Sequence, residues 1–171
     1  RDYAAARRFM ENSDQVISEL IDETIMPRSL AICEVGILQG TRAEEDSACL
    51  EALEYLERRR EESPADPAVS AALGWAYALF GQKEEAIEAG ERAYELLPIE
   101  VDAMAGHSNL VRLAKILAWV DEPYKAVKTI QKAMTFPGWI SPATLRLDPE
   151  WDPIREDPRF LELLKIHGTT D

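Results

Sequence analysis

Tyr3, Ala6, Met10, Ser13, Ile17, Leu20 and Thr24 recur at three- and four-residue intervals, with Phe9, Val16 and Ile21 widening the stripe. This period predicts an amphipathic helix, or two helices broken near Asn12-Ser13-Asp14. Met26-Pro27 closes the element, because a residue before proline avoids the helical region. A second pattern begins at Ala71. The stretch to Phe80 is apolar almost throughout, Gly81 interrupts it, and Lys83 to Leu97 alternates charged and small apolar positions at helical spacing. The spacing predicts two helices folded back on each other. Pro98 ends the second, since its ring collides with the preceding turn and it has no N–H to give. Across residues 28–137, helix ends are marked by Gly40, Ser63-Pro64, Asp66-Pro67, Gly81, Pro98 and Asp121 to Pro123. Six helices in three hairpins fit that span. Alternating β-branched runs are missing, so the expected class is all-α.

The tail from Gly138 to Asp171 has its own punctuation. Ser141-Pro142 is followed by Asp-Pro at 148–149, 152–153 and 157–158. Each pair suits an N-cap with proline in the first helical turn. Short helical turns are expected, then a last helix from Pro158 to about Ile166. Trp139, Leu145, Leu147, Trp151, Ile154, Phe160, Leu161 and Leu164 give this segment a large apolar surface. The end of a helical array exposes an apolar face, and covering it is the task such a tail performs. The predicted organisation is therefore an N-terminal helix or incomplete repeat over 1–27, about three hairpins over 28–137, and a cap over 138–171.

Leu73-Gly74-x-x-Tyr77, Gly81, Ala86, Ala93 and Pro98 resemble the signature of the tetratricopeptide repeat, with residues 67–100 spanning one 34-residue unit. Gly74 and Ala86 stand where two helix backbones approach closely, and Tyr77 fills the angle between them. A weaker copy places Leu113, Ala114, Leu117, Ala126 and Ala133 in the same frame, offset by 40 residues, with an insertion near Ile99 to Gly106. Gly36, Ala48 and Tyr55 suggest a third copy upstream. The chain departs from the signature at Ser70, where the family has Trp, and at Gly90, where it has a large aromatic. The tail run Gly138-Trp139-Ile140-Ser141-Pro142, with Trp151-Asp152-Pro153 and Asp157-Pro158-Arg159-Phe160, is similar to the C-terminal end of bacterial multidomain signalling proteins. There a repeat array follows a kinase, an adenylate cyclase or a DNA-binding regulator. The resemblance implies a tetratricopeptide-like α–α superhelix with a concave, partner-binding face. A plain antiparallel bundle is the alternative. Because the chain starts at Arg1, it is expected to be part of a longer protein.

The net charge of −13 argues against nucleic acid and against anionic membranes. Arg58-Arg59-Arg60 is cancelled in part by Glu61-Glu62 and suits a helix C-terminus. No apolar run is long enough to span a bilayer, and a cytoplasmic location is expected. Cys33 and Cys49 show neither zinc-ligand spacing nor a disulfide framework. Both read as buried, reduced thiols. His107 and His167 stand alone, so no metal or cofactor is expected. The motifs of hydrolases, nucleotide-binding enzymes and zinc proteases are missing, and the abundant carboxylates form no placed pair. An enzyme is not expected.

Binding is the leading function. In a tetratricopeptide hairpin the first helix lines the groove. Spacing from Gly74 then turns Ala71, Trp75, Ala78 and Leu79 inward, and spacing from Ala114 turns Val111, Lys115 and Trp119 inward beside Arg112. Two tryptophans flanked by Lys115 and Arg112 suit an extended peptide carrying an acidic or C-terminal group. The competing reading makes both tryptophans core filler under the tail. Trp75 and Lys115 stand where the family's chaperone-binding members use Asn, so a chaperone tail is not the expected ligand. The alternative function is a structural module self-associating through the helix of residues 3–24.

Overall fold

A computed structural model describes residues 2–12 and 26–167, and among them every regular element is helical. The elements are α1 (Tyr3–Asn12), α2 (Arg28–Leu38), α3 (Ser47–Glu62), α4 (Pro67–Leu79), α5 (Lys83–Leu96), α6 (Ala105–Trp119), α7 (Pro123–Ala133), α8 (Pro142–Leu147) and α9 (Pro158–His167). Short 3₁₀ turns cover Ala43–Glu45 and Pro149–Ile154. The predicted six helices of the central span are α2 to α7. The expected continuation of the first helix through Ile17 and Thr24 lies outside the described residues.

Helix α4 starts four residues earlier than the apolar pattern indicates. Asp66 accepts hydrogen bonds from the N–H groups of Ala68 and Val69, and Pro67 takes the first turn. Capping chemistry, not hydrophobicity, sets that boundary. The tail follows its punctuation with one exception. Ser141, Asp148 and Asp157 each accept a bond from a backbone N–H one turn on or less, whereas Asp152-Pro153 falls inside a 3₁₀ turn.

Consecutive helices pack in pairs, α2 on α3, α4 on α5 and α6 on α7, and α4 also lies against α6. The three pairs turn in the same way. In each, an N–H bonds back to a carbonyl five residues earlier: Thr41 to Gly36 at 3.0 Å, Gln82 to Tyr77 at 2.9 Å, and Glu122 to Leu117 at 2.9 Å. The residue before each donor has positive φ: Gly40 at 91°, Gly81 at 71° and Asp121 at 58°. This is the bond pattern of a helix ended by one left-handed residue. Aspartate tolerates that conformation better than most side chains, which is why the third turn lacks a glycine to mark it.

The small positions face inward. Gly74 has no room for a methyl group: a Cβ there would stand 2.9 Å from the Gly90 nitrogen and 2.9 Å from Ile116 Cδ1. Ala86, Ala114 and Ala126 have no exposed surface. Gly90 replaces the expected large aromatic because Ile116 of the next helix fills that space, with a Cβ at Gly90 only 2.9 Å from Ile116 Cδ1. Tyr77 is buried, and its hydroxyl donates to Glu57 Oε1 at 3.1 Å.

The expectation of two reduced cysteines is overturned. Cys33 on α2 and Cys49 on α3 are joined by a disulfide across a separation of 16 residues. Sequence spacing showed no motif because the pairing comes from two antiparallel helices facing each other. In the α2–α3 pair, Cys49 rather than Ala48 is buried, with Ala52 and Leu56 one and two turns on. Helix α1 is held to this pair by polar contacts. Arg7 forks onto both oxygens of Asp46, with Nη2 to Oδ1 at 3.1 Å, and Asp46 also caps α3. Gly36 leaves space for that fork.

Candidate functional site

Of the eight residues expected to line a groove, Arg112, Lys115 and Trp119 meet one segment of the tail, and Trp75 touches Arg112 and Trp119. Ala71, Trp75, Ala78 and Leu79 are buried on α4, while Val111, Arg112, Lys115 and Trp119 on α6 are partly buried. The sequence explains the α6 set. Arg112, Lys115 and Trp119 recur at i, i+3 and i+7, which places them along one side of a helix. Trp75 and Trp119 meet edge to face, with ring centroids 5.4 Å apart. The Arg112 guanidinium stands 5.1 Å from the centroid of Trp75.

The segment Asp148–Trp151 occupies this surface. Arg112 Nη1 donates to Glu150 Oε1 at 3.0 Å, and Lys115 Nζ donates to Asp148 Oδ2 at 3.1 Å and to Glu150 Oε2. Trp119 Nε1 donates to the Glu150 carbonyl at 2.8 Å. Trp151 is buried beside Phe160, and Lys115 Nζ lies 5.7 Å from its ring centroid. The 3₁₀ turn opened by Asp148 and Pro149 aims these groups, because the Asp148 side chain accepts the Glu150 N–H at 2.9 Å. The tail therefore bonds Trp119 and neutralises the two cations. Trp139, Leu147 and Leu161 stay exposed.

A third carboxylate completes the cluster, and no pattern along the chain marks it. Glu34 on α2 accepts a hydrogen bond from Trp75 Nε1 at 3.1 Å. Burial and then the charge of Glu150 push its pKa up to about 7, against the opposing pull of Arg112, the Trp75 bond and Lys115. Burial also works against ionised Glu150, but Arg112 and Lys115 outweigh it and hold that carboxyl below its ordinary value. Two cations thus balance Asp148 and Glu150 while Glu34 holds a proton. Ionising Glu34 leaves the cluster with one negative charge in excess.

The pH dependence follows from the sign of that shift. The folded-state pKa of Glu34 lies above its ordinary value of 4.5, so between about pH 4.5 and pH 7 the folded chain holds more protons than the unfolded one. Glu34 therefore contributes less stability as pH rises through that window. Glu34→Gln keeps the Trp75 bond without the charge. At pH 8 it should be more stable than the parent chain by on the order of 2 kcal/mol, and near pH 4 the two should converge. Urea denaturation of both chains at several pH values measures this. A constant difference across pH would contradict it. Comparing the two chains also cancels His107, whose pKa burial pushes down and whose contribution is lost as pH falls.

Among the described residues no group of three His, Cys, Asp or Glu side chains is placed to hold a metal ion. No protein-family profile matches this chain, and no curated protein or solved structure is significantly similar to it.

Proposed function

We propose that this chain is a tetratricopeptide-like protein-interaction scaffold rather than an enzyme, and that its α4–α6 face recognises an acidic segment carrying an aromatic side chain. One observation supports this above the rest: Arg112, Lys115 and Trp119 already hold such a segment, Asp148–Trp151, supplied by the tail. A partner peptide with two carboxylates and an indole exchanges like for like. Leu145, Phe160 and Leu163, all buried, keep the rest of the tail in place during local opening.

The test is a fluorescent peptide of residues 146–155 titrated against the full chain. Asp148→Asn with Glu150→Gln weakens the internal occupant and leaves Trp151 in position. The peptide should bind that variant at least tenfold more tightly than the parent, since each lost charged hydrogen bond is worth about 1.5–3 kcal/mol. Adding Arg112→Ala and Lys115→Ala should abolish the gain. Equal affinity for parent and variant would reject exchange at this face.

Self-association through the N-terminal helix is the second reading. It rests on Phe9, 72 % exposed on α1, and light scattering on the same samples tests it. As to compartment, no helix among the described residues is long and apolar enough to cross a membrane. The cytoplasmic placement expected from the sequence sits poorly with the Cys33–Cys49 disulfide, because cytosolic thiol buffers keep most such pairs reduced. An oxidising compartment fits the bond better.

A further inference from the structure

A second surface lies away from the tail, on the side of the array formed by α3 and α5. A groove of about 660 Å³ runs there, bounded by the C-terminal end of α3 and by α5, with α4 beneath. Ile87 and Ala89 of α5, both half-buried, border it as apolar groups, and Leu73 and Tyr77 lie buried beneath them on α4. One wall is acidic: Glu84, Glu85, Glu88, Glu91 and Glu95 all border the groove from α5 and are exposed. None of the five takes part in an ion pair among the described residues, while Lys83 at the start of the same helix is committed to Glu122 across 2.6 Å. Arg60 and Arg92 are the cations at the groove, so five carboxylates face two guanidinium groups.

The carboxylates are also in register. Glu84, Glu88, Glu91 and Glu95 recur at i, i+4, i+7 and i+11, which puts them in a row about 16 Å long at 1.5 Å per residue. A surface with half-buried apolar groups and a negative edge is complementary to a helix that carries an apolar stripe and positive flanks. Such a helix carries a leucine-like stripe flanked by Lys or Arg at every third or fourth position. The overall charge of −13 attracts a cationic partner before contact. Phosphate-bearing partners and anionic lipid are repelled by the same wall. A compact metal ion is not matched by carboxylates spread over several turns.

We propose that the α3–α5 groove is a docking surface for a basic amphipathic helix of a partner protein. It is separate from the α4–α6 face, and neither reading depends on the other.

The probe is a fluorescein-labelled leucine–lysine amphipathic helix of about 18 residues, titrated against the full chain at about 0.15 M salt, where non-specific long-range attraction is screened. Two triple variants remove the same charge. One is Glu84→Gln, Glu88→Gln and Glu91→Gln in the groove. The other is Glu44→Gln, Glu45→Gln and Glu51→Gln, exposed positions near and on α3. Each exposed ion pair contributes modestly, so the loss of three should make the groove variant bind about tenfold more weakly. The control variant should change affinity less than about threefold by the same reasoning. A probe with its leucines replaced by serine but all lysines kept should lose binding. Equal weakening by both variants, retained binding of the serine probe, or no binding of the leucine–lysine probe would each overturn the proposal. All six substitutions are at exposed positions, and circular dichroism confirms that helicity is kept.

Discussion

Trp151→Ala should lower the stability of this chain by about 3–5 kcal/mol, the range for truncating a large buried aromatic. For a chain of this size that is a fall in Tm of roughly 6–20 °C. The reason is its position. Trp151 is 1 % exposed and sits in one cluster with Leu113, Leu117 and Ile130 of the array and with Ile154, Phe160 and Leu163 of the tail. Removing the indole empties the joint between tail and array, and it takes away the ring beside Lys115. Trp139→Ala is the internal comparison. Trp139 is 60 % exposed, and its loss should change stability by no more than about 0.5 kcal/mol, as for other surface substitutions. Thermal and urea melts of the two variants decide the matter. Similar small losses in both would mean that the tail is a loosely held flap, and the description of it as a cap would fail.

Reducing the Cys33–Cys49 bond should cost about 3 kcal/mol, the value for a closed loop of this length when the cross-link acts by restricting the unfolded chain. Melts with and without reductant should differ by roughly 6–12 °C in Tm. Both sulfur-bearing residues are buried, so reduction in the folded state should be slow and should speed up in mild denaturant. A double Cys→Ala variant should show the lower Tm in both media. Thiol titration in denaturant gives the direct reading: no free thiol in protein purified without reductant, and two after reduction. Two free thiols in the unreduced protein would refute the bond.

The boundaries and the close contacts of the array were legible because they depend on neighbours in the chain. Gly74, Ala86, Ala114 and Ala126 signal close helix approach by their size, and Gly81 and Pro98 signal ends by their backbone chemistry. Asp121 was harder to read, since aspartate only tolerates the left-handed turn that glycine advertises. Trp75, Arg112, Lys115 and Trp119 lie beside one another, yet what faces them was not legible. Arg112 and Lys115 carry the same spacing whether they face water, a partner or Glu150.

Glu34 was invisible for a related reason. It is one acid among 32, and only the approach of α2 to Trp75 and the tail separates it from the solvated ones. The cysteine pair shows the same limit, because a spacing of sixteen residues has no meaning until two helices turn back on each other.

By itself, then, the amino-acid order determined that the described residues are all-helical, with paired helices and the turns between them. These rest on local forces: helical period, capping, and the sterics of glycine and proline. The tertiary structure decided which charges meet, which thiols bond and which faces remain open. Those outcomes depend on the dielectric and geometry around groups brought together from distant positions, and no short window of sequence carries that information.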